Sequence, residues 1–481
     1  AAGGDSYRFR APEAKLDGAS SVVELLSGEG GSEERAFIEF DGGDVQARSI
    51  VFDQTTYKAR LEGDVRVRLR SPGENAAESR TIHAHVANVE FYPGFRAPGG
   101  ASDGTGAMAR LEVIRKLEVL GREDERVVVR ARGFELRGDE ARWDGERRQL
   151  RITGRATPPE IHLTHEEIHG PVRAREIEYD DAAQIVRLIG SVEGQLHQPP
   201  RKSEDAQATE KGRPMVWAFR TSEFEIGLHT TKDGRVELVD AHARQNVDLA
   251  NAEKGMKLLG DELFYDHARG RIRIFSKDGR LQTLMREHPV ARDSAAAQTT
   301  AADAAPPVDK ILAREIFVDL IEDSRDATAG ARATRKLLAT FDGEVIATFR
   351  LENGSVGAIA AKPADLWKVE TERMTFEIDP DPEAGTRGEI TRAVASGGVI
   401  ASSTEFRGQG ERAEYLAHDR SLRLEGGAKG RALLDDLRDD RPALELPWVT
   451  VRQKVDGETT IEVPGTRTVP RGSAPVLPGA R

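Results

Sequence analysis

Apolar and polar residues alternate along much of this chain, and the alternation recurs in a fixed frame. In five segments an apolar residue is followed two places later by an aromatic, then usually an acid, a short polar turn, two apolar residues spaced by one, and a small residue. The copies begin at Ile50-Val51-Phe52-Asp53, Ala141-Arg142-Trp143-Asp144, Ile177-Glu178-Tyr179-Asp180, Leu263-Phe264-Tyr265-Asp266 and Ala413-Glu414-Tyr415-Leu416. Counted from the aromatic, Ala59, Leu150, Val186, Ile272 and Leu422 stand at +7, and Leu61, Ile152, Leu188, Ile274 and Leu424 at +9. The small residue stands at +11. Period two is a strand signal, and the intervening Asp-x-x-x supplies turn chemistry. Each copy therefore reads as strand, tight turn, strand, with offsets −2, 0, +7 and +9 facing inward and Glu178, Arg187, Arg273, Glu414 and Arg423 facing water. Extended continuations such as Val65-Arg66-Val67 and Ser191-Val192-Glu193 predict a third strand. A degenerate sixth copy stands at Met374-Thr375-Phe376-Glu377-Ile378, with 380–388 inserted in its turn.

The predicted fold is all-β: an elongated jellyroll or solenoid of antiparallel strand pairs in several modules. The stretches 94–107, 199–214 and 291–307 read as linkers or long loops, and 464–481, rich in proline and glycine, as a disordered tail. The alanine-, threonine- and proline-rich 291–307 is the main expected boundary. Modules are expected at 1–198, 215–290 and 308–463.

Composition narrows the function. A chain of 481 residues with 32% charged residues and only 5% aromatics must place its apolar residues economically, as strands with one wet face do. A net charge of −12 argues against a nucleic-acid partner. With no cysteine, disulfides, thiolate zinc sites and cysteine nucleophiles are excluded. No run of apolar residues is long enough to cross a bilayer as a helix, and residues 1–10 have no signal-peptide pattern, so the chain is expected to be soluble as given.

The copies resemble the OstA-like repeat of the lipopolysaccharide-transport proteins LptA, LptC and the amino-terminal part of LptD. That pattern, a glycine or acid, then A-x-Y-D, a turn, and L-x-L-x-G-x-V, stands here as Gly138-Asp139-Glu140-Ala141-Arg142-Trp143-Asp144, as Gly260-Asp261-Glu262-Leu263-Phe264-Tyr265-Asp266 and as Gly410-Glu411-Arg412-Ala413-Glu414-Tyr415, with its closing part in Leu61-Glu62-Gly63-Asp64-Val65. The resemblance touches most of 40–430. The chain is far longer than a single LptA module, and Leu416 stands where the family has an acid. The resemblance implies a V-shaped β-jellyroll in the periplasm that binds and relays lipopolysaccharide or a related glycolipid. Acyl chains would lie inside, and other jellyroll proteins would pair at its edge strands. It implies no catalysis and no cofactor. The candidates for contact with acyl chains are Phe52, Leu61, Val65, Val67, Trp143, Leu150, Ile152, Tyr179, Val186, Leu188, Val192, Tyr265, Ile272, Ile274, Tyr415, Leu422 and Leu424.

Other chemistry competes with this reading. His165-Glu166-Glu167-Ile168-His169 is a literal H-E-x-x-H, in which two histidines one helical turn apart bind zinc and the glutamate activates water. Pro158-Pro159 before it and Gly170-Pro171 after it leave little room for a helix, so a polar strand or loop is expected. His83 and His85 read as surface strand positions. Asp53, Asp144, Asp180 and Asp266 could bind calcium or do acid-base work, but hairpin turns explain them. No G-x-S-x-G stands out. The alternatives to lipid relay are a lipid-free β-solenoid scaffold or adhesin, and a zinc peptidase using His165, Glu166 and His169.

Overall fold

The hairpin frame closes in one register. In the computed structural model the aromatic pairs with +7 and −2 pairs with +9: Phe52 with Ala59 and Ile50 with Leu61, Trp143 with Leu150 and Ala141 with Ile152, Tyr179 with Val186 and Ile177 with Leu188, Tyr265 with Ile272 and Leu263 with Ile274, Tyr415 with Leu422 and Ala413 with Leu424. The structure describes residues 7–27, 35–40, 43–69, 80–93, 113–131, 133–163, 168, 170–198, 201–202, 215–230, 236–252, 255–287, 308–323, 334–350, 366–378, 390–403, 406–416, 418–419, 421–427, 430–437, 443–453 and 459–464. Among them regular structure is β, with no α-helix; the hairpin strands pair antiparallel, and Arg201–Lys202 pairs with Glu315–Asp323 in parallel.

Each turn has the same local cause. Asp53 Oδ1 accepts the amides of Thr55 and Thr56 at 2.8 and 3.2 Å, and Asp144 Oδ1 those of Glu146 and Arg147 at 3.0 and 3.1 Å. Asp180 and Asp266 each take the amide three residues on, at 2.9 and 3.1 Å. Five residues after the aromatic, Tyr57, Arg148, Gln184 and Gly270 all have φ between 55° and 60°. These carboxylates are turn-formers in the Asx sense, as the hairpin reading expects.

Past the hairpin the chain turns a corner. In Lys58–Leu69, Ile185–Gln198, Thr334–Arg350 and Ile390–Ser402, two consecutive left-handed residues interrupt the strand: Gly63-Asp64 (φ 75° and 50°), Gly190-Ser191 (77° and 51°), Gly343-Glu344 (73° and 53°) and Gly397-Gly398 (85° and 73°). Pairing registers slip there, between Glu62 and Val65, Asp342 and Val345, and Ser396 and Val399. The bulge bends one strand out of one sheet row and into another. Backbone amides of the neighbouring strand cap the bend. Arg48 N lies 2.9 Å from Gly63 O, Arg175 N 2.8 Å from Gly190 O, and Arg314 N 2.9 Å from Gly343 O. Buried Thr371 Oγ1 donates to Ser396 O at 2.7 Å on the inner side of its corner. At Gly190 a side chain would be strained by φ and would press on Arg175 Cβ at 3.0 Å. Gly190→Ala is expected to lower stability by about 1–2 kcal/mol, read as a shifted urea midpoint.

Two rows result, joined at the corners. The packing divides into two units, residues 1–197 with 218–245, and 198–217 with 246–481. In the first, a hairpin row runs through Glu13–Asp17, Val22–Leu26, Ser49–Asp53, 58–62, 86–91, Ile114–Leu120, Glu140–Asp144, Gln149–Thr153, Glu176–Asp180 and 185–189. A facing row runs through Arg8–Arg10, Ala36–Phe40, Gly43–Ala47, 65–69, 80–84, Val127–Ala131, Phe134–Gly138, Glu160–Leu163 and Pro171–Arg173. The second unit repeats the scheme. Its hairpin row includes 262–266, Arg271–Phe275, Glu315–Asp323, 373–378, 412–416 and Ser421–Glu425. Its facing row includes 256–259, Gln282–Glu287, Val308–Ala313 and 406–410.

Residues 94–107, 291–307 and 465–481 lie outside the described residues. The flanks of 291–307, Gln282–Glu287 and Val308–Ala313, pair with each other inside the second unit. The sixth copy forms, with Met374 and Phe376 buried in Leu366–Ile378. Phe376 pairs with Ala393 instead of a residue at +7, because of the insertion.

Candidate functional site: the apolar interior between the rows

All seventeen candidate residues lie on the inner faces. Phe52, Leu61, Val65, Val67, Ile152, Val186, Leu188, Tyr265, Ile272 and Ile274 are 0% exposed, and Trp143, Leu150, Tyr179, Val192 and Leu424 nearly so. Leu422 and Tyr415, in the last copy, are the least covered, at 6% and 9%. Apart from Val65 and Val67, sequence reasoning missed the inward residues of the facing row, such as Ile38, Val45, Ile82, Val129, Leu136 and Ile161. Their segments carry no aromatic frame, so alternation alone could have found them.

The rows meet closely near the corner. A Cβ on Gly138 would run into Ile152 Cγ2 and lie 2.9 Å from Thr153 O. Gly260 stands in the same relation to Ile274, and Gly408 to Leu424. In the copies that Gly138 and Gly260 open, that glycine is thus a packing requirement of the +9 side chain; in the fifth copy the place is taken by Gly408, two residues before the opening Gly410. At the rims away from the corner, aromatics of the two rows touch. Phe9 and Phe52 centroids are 5.4 Å apart, Phe40 and Phe91 5.9 Å, and Phe134 and Tyr179 5.1 Å. Polar tips are satisfied there: Trp143 Nε1 donates to Ile114 O at 3.2 Å, and Tyr179 Oη to buried Asp181 at 3.1 Å, which also takes Arg148 at 2.6 Å.

The outer faces carry the charge. Glu118, Arg142, Arg151, Glu178 and Arg187 are successive cross-strand neighbours. Arg142 pairs with Glu140 at 2.6 Å, Arg151 with Glu176, and Arg187 with Glu225 at 3.2 Å. Burial raises the Glu178 carboxyl, and Glu176 adds to it. Burial alone would raise Glu135, Glu160 and Asp64, but Arg130 and Arg137, Arg173, and Arg35 respectively outweigh it and hold these carboxylates below their ordinary range. Burial, then Arg66 and Arg130, lowers His83. The signs agree. As pH falls through about 6.5 the unfolded chain protonates its histidine before folded His83 does, and below about 4 it protonates carboxylates that the fold keeps ionised. Stability is expected to fall in both windows on acidification. His83→Gln should flatten the upper one in urea melts between pH 7.5 and 5.5, with the lower one unchanged.

His165, Glu166 and His169 lie outside the described residues. Ile168 between them is buried and bridges Leu196 antiparallel. His83 and His85 are half-buried on the outer side of Arg80–Phe91.

The sequence matches no family model and no curated protein. Among solved structures the chain is similar to LptH of Pseudomonas aeruginosa, described as the LptA homologous periplasmic component of the conserved lipopolysaccharide transport device. The match has 11% identity and a TM-score of 0.23, and covers 33% of this chain and 94% of that one.

Proposed function

We propose that this protein binds the acyl chains of lipopolysaccharide or a related glycolipid between its two sheet rows and relays the lipid through the periplasm toward the outer membrane, as a carrier without catalysis. The observation that carries the reading is the parity of the repeat: every copy turns the same four offsets into an apolar interior, which in the first unit is bounded by the corners at Gly63 and Gly190 on one side and by aromatic contacts on the other. An aromatic rim contact is worth about 0.5–1.5 kcal/mol. Roughly ten methylenes moved from water into such an interior gain about 8 kcal/mol. Inserting an acyl chain therefore outweighs parting a few rim contacts, while the sugars stay at the charged exterior. Glu13–Asp17, exposed at all five residues, is the edge at which a further jellyroll protein would add a strand.

A second reading has an observation of its own. The complete burial of ten inward candidates suits a sealed, lipid-free scaffold equally well. Uptake of fluorescent lipopolysaccharide separates the two. The carrier reading expects saturable uptake, displaced by unlabelled lipopolysaccharide and not by its deacylated oligosaccharide. Absence of uptake by the folded protein supports the scaffold, and equal displacement by the oligosaccharide refutes acyl-chain recognition.

A further inference from the structure

Along Ile185–Gln198 the inward positions run Val192, Gly194, Leu196 and then Gln198, a polar side chain where period two calls for an apolar one. Gln198 is 0% exposed. Its Nε2 donates to Gly270 O at 2.9 Å and to Val318 O at 3.1 Å, and its Oε1 accepts Trp217 Nε1 at 3.0 Å. Gly270 ends a hairpin-row turn, Val318 lies on the inner face of Glu315–Asp323, and Trp217 is buried in Met215–Thr230. A few residues on, Arg201 and Lys202 pair in parallel with Ile321 and Glu322, beyond the point where Arg271–Phe275 stops pairing with the same strand. Beside them buried Asp319 takes Arg271 through two bonds, at 2.8 and 3.0 Å.

One amide thus spends both its donors on the hairpin row and its acceptor on Trp217. A buried amide is tolerated when all its bonds are made, and here they can all be made only while Gly270, Val318 and Trp217 keep their present places. We propose that Gln198 is a latch: it fastens the chain at 198 and 201–202 over the rim of the second unit, and its release admits an acyl chain into that unit's interior. The admission step rests on the carrier reading above; the latch itself rests on geometry alone.

The chain has no cysteine, so Lys202→Cys with Glu322→Cys introduces one disulfide across a pair of facing Cα positions. Oxidised, this variant is expected to bind less fluorescent lipopolysaccharide at saturation than it does after reduction. Gln198→Leu keeps the bulk and removes the bonds. It is expected to take up the probe faster than wild type and to exchange the amides that join 201–202 to 321–322 about tenfold faster. Equal saturation of oxidised and reduced forms overturns the gating. Unchanged amide exchange in Gln198→Leu overturns the latch. No uptake by wild type or any variant refutes the carrier reading and the gating with it, and leaves the latch decided by the exchange result.

Discussion

Leu188→Asp is expected to lower the stability of the first unit by more than about 4 kcal/mol, because it puts an unpaired carboxylate into an apolar interior. Leu188 is 0% exposed, stands opposite Ile177 across the hairpin and lies two residues before the Gly190 corner. Among the described residues the repeat's arginines Arg142, Arg151 and Arg187 stand at the other parity and do not meet a carboxylate there. Ile274→Asp, equally buried in the second unit, should behave alike. Leu188→Asn separates polarity from charge and is expected to fall between wild type and the aspartate variant in urea melts. If Leu188→Asp melts within about 1 kcal/mol of wild type, on the order of a surface change, the inward assignment is wrong.

Gly138→Val is expected to cost about 3 kcal/mol, at the upper end of overpacking, because the added Cβ meets both a side chain and a carbonyl. The side chain in its way is Ile152 Cγ2, across the gap between rows. Ile152→Ala alone leaves a cavity and should cost about 2–4 kcal/mol. Combined, the two changes should be less harmful than their sum, since the valine fills part of the space the isoleucine leaves. A double-mutant cycle measures this coupling. Strict additivity would mean that the rows do not touch at Gly138.

The inner face of the hairpin row was legible in the sequence because two periodicities coincide in it. Alternation fixes which side chains point in, and the constant spacing from aromatic to +9 fixes the register, so that Tyr179 opposite Val186 and Ile177 opposite Leu188 follow from counting. The corner was not legible as such. The small residue at +11 serves two geometries: Gly63 and Gly190 are left-handed and let one strand continue into the facing row, whereas Gly154 sits in a tight turn with Thr157 O against it. A glycine letter does not distinguish them. The left-handed position at +5 was hidden for the opposite reason, since Tyr57, Arg148 and Gln184 adopt it without being glycine. Gln198 stood in the sequence only as the last residue of the expected module 1–198, because its three partners lie 19, 72 and 120 residues away.

The most direct test of acyl chains between the rows is a lipopolysaccharide carrying a diazirine in one acyl chain, bound to the wild-type protein, irradiated, and mapped residue by residue. The account predicts labels at inward positions such as Leu188, Val192, Ile272 and Ile274, and none on their outward neighbours Arg187 and Arg273. Labels spread over both parities, or confined to the charged outer face, would contradict it.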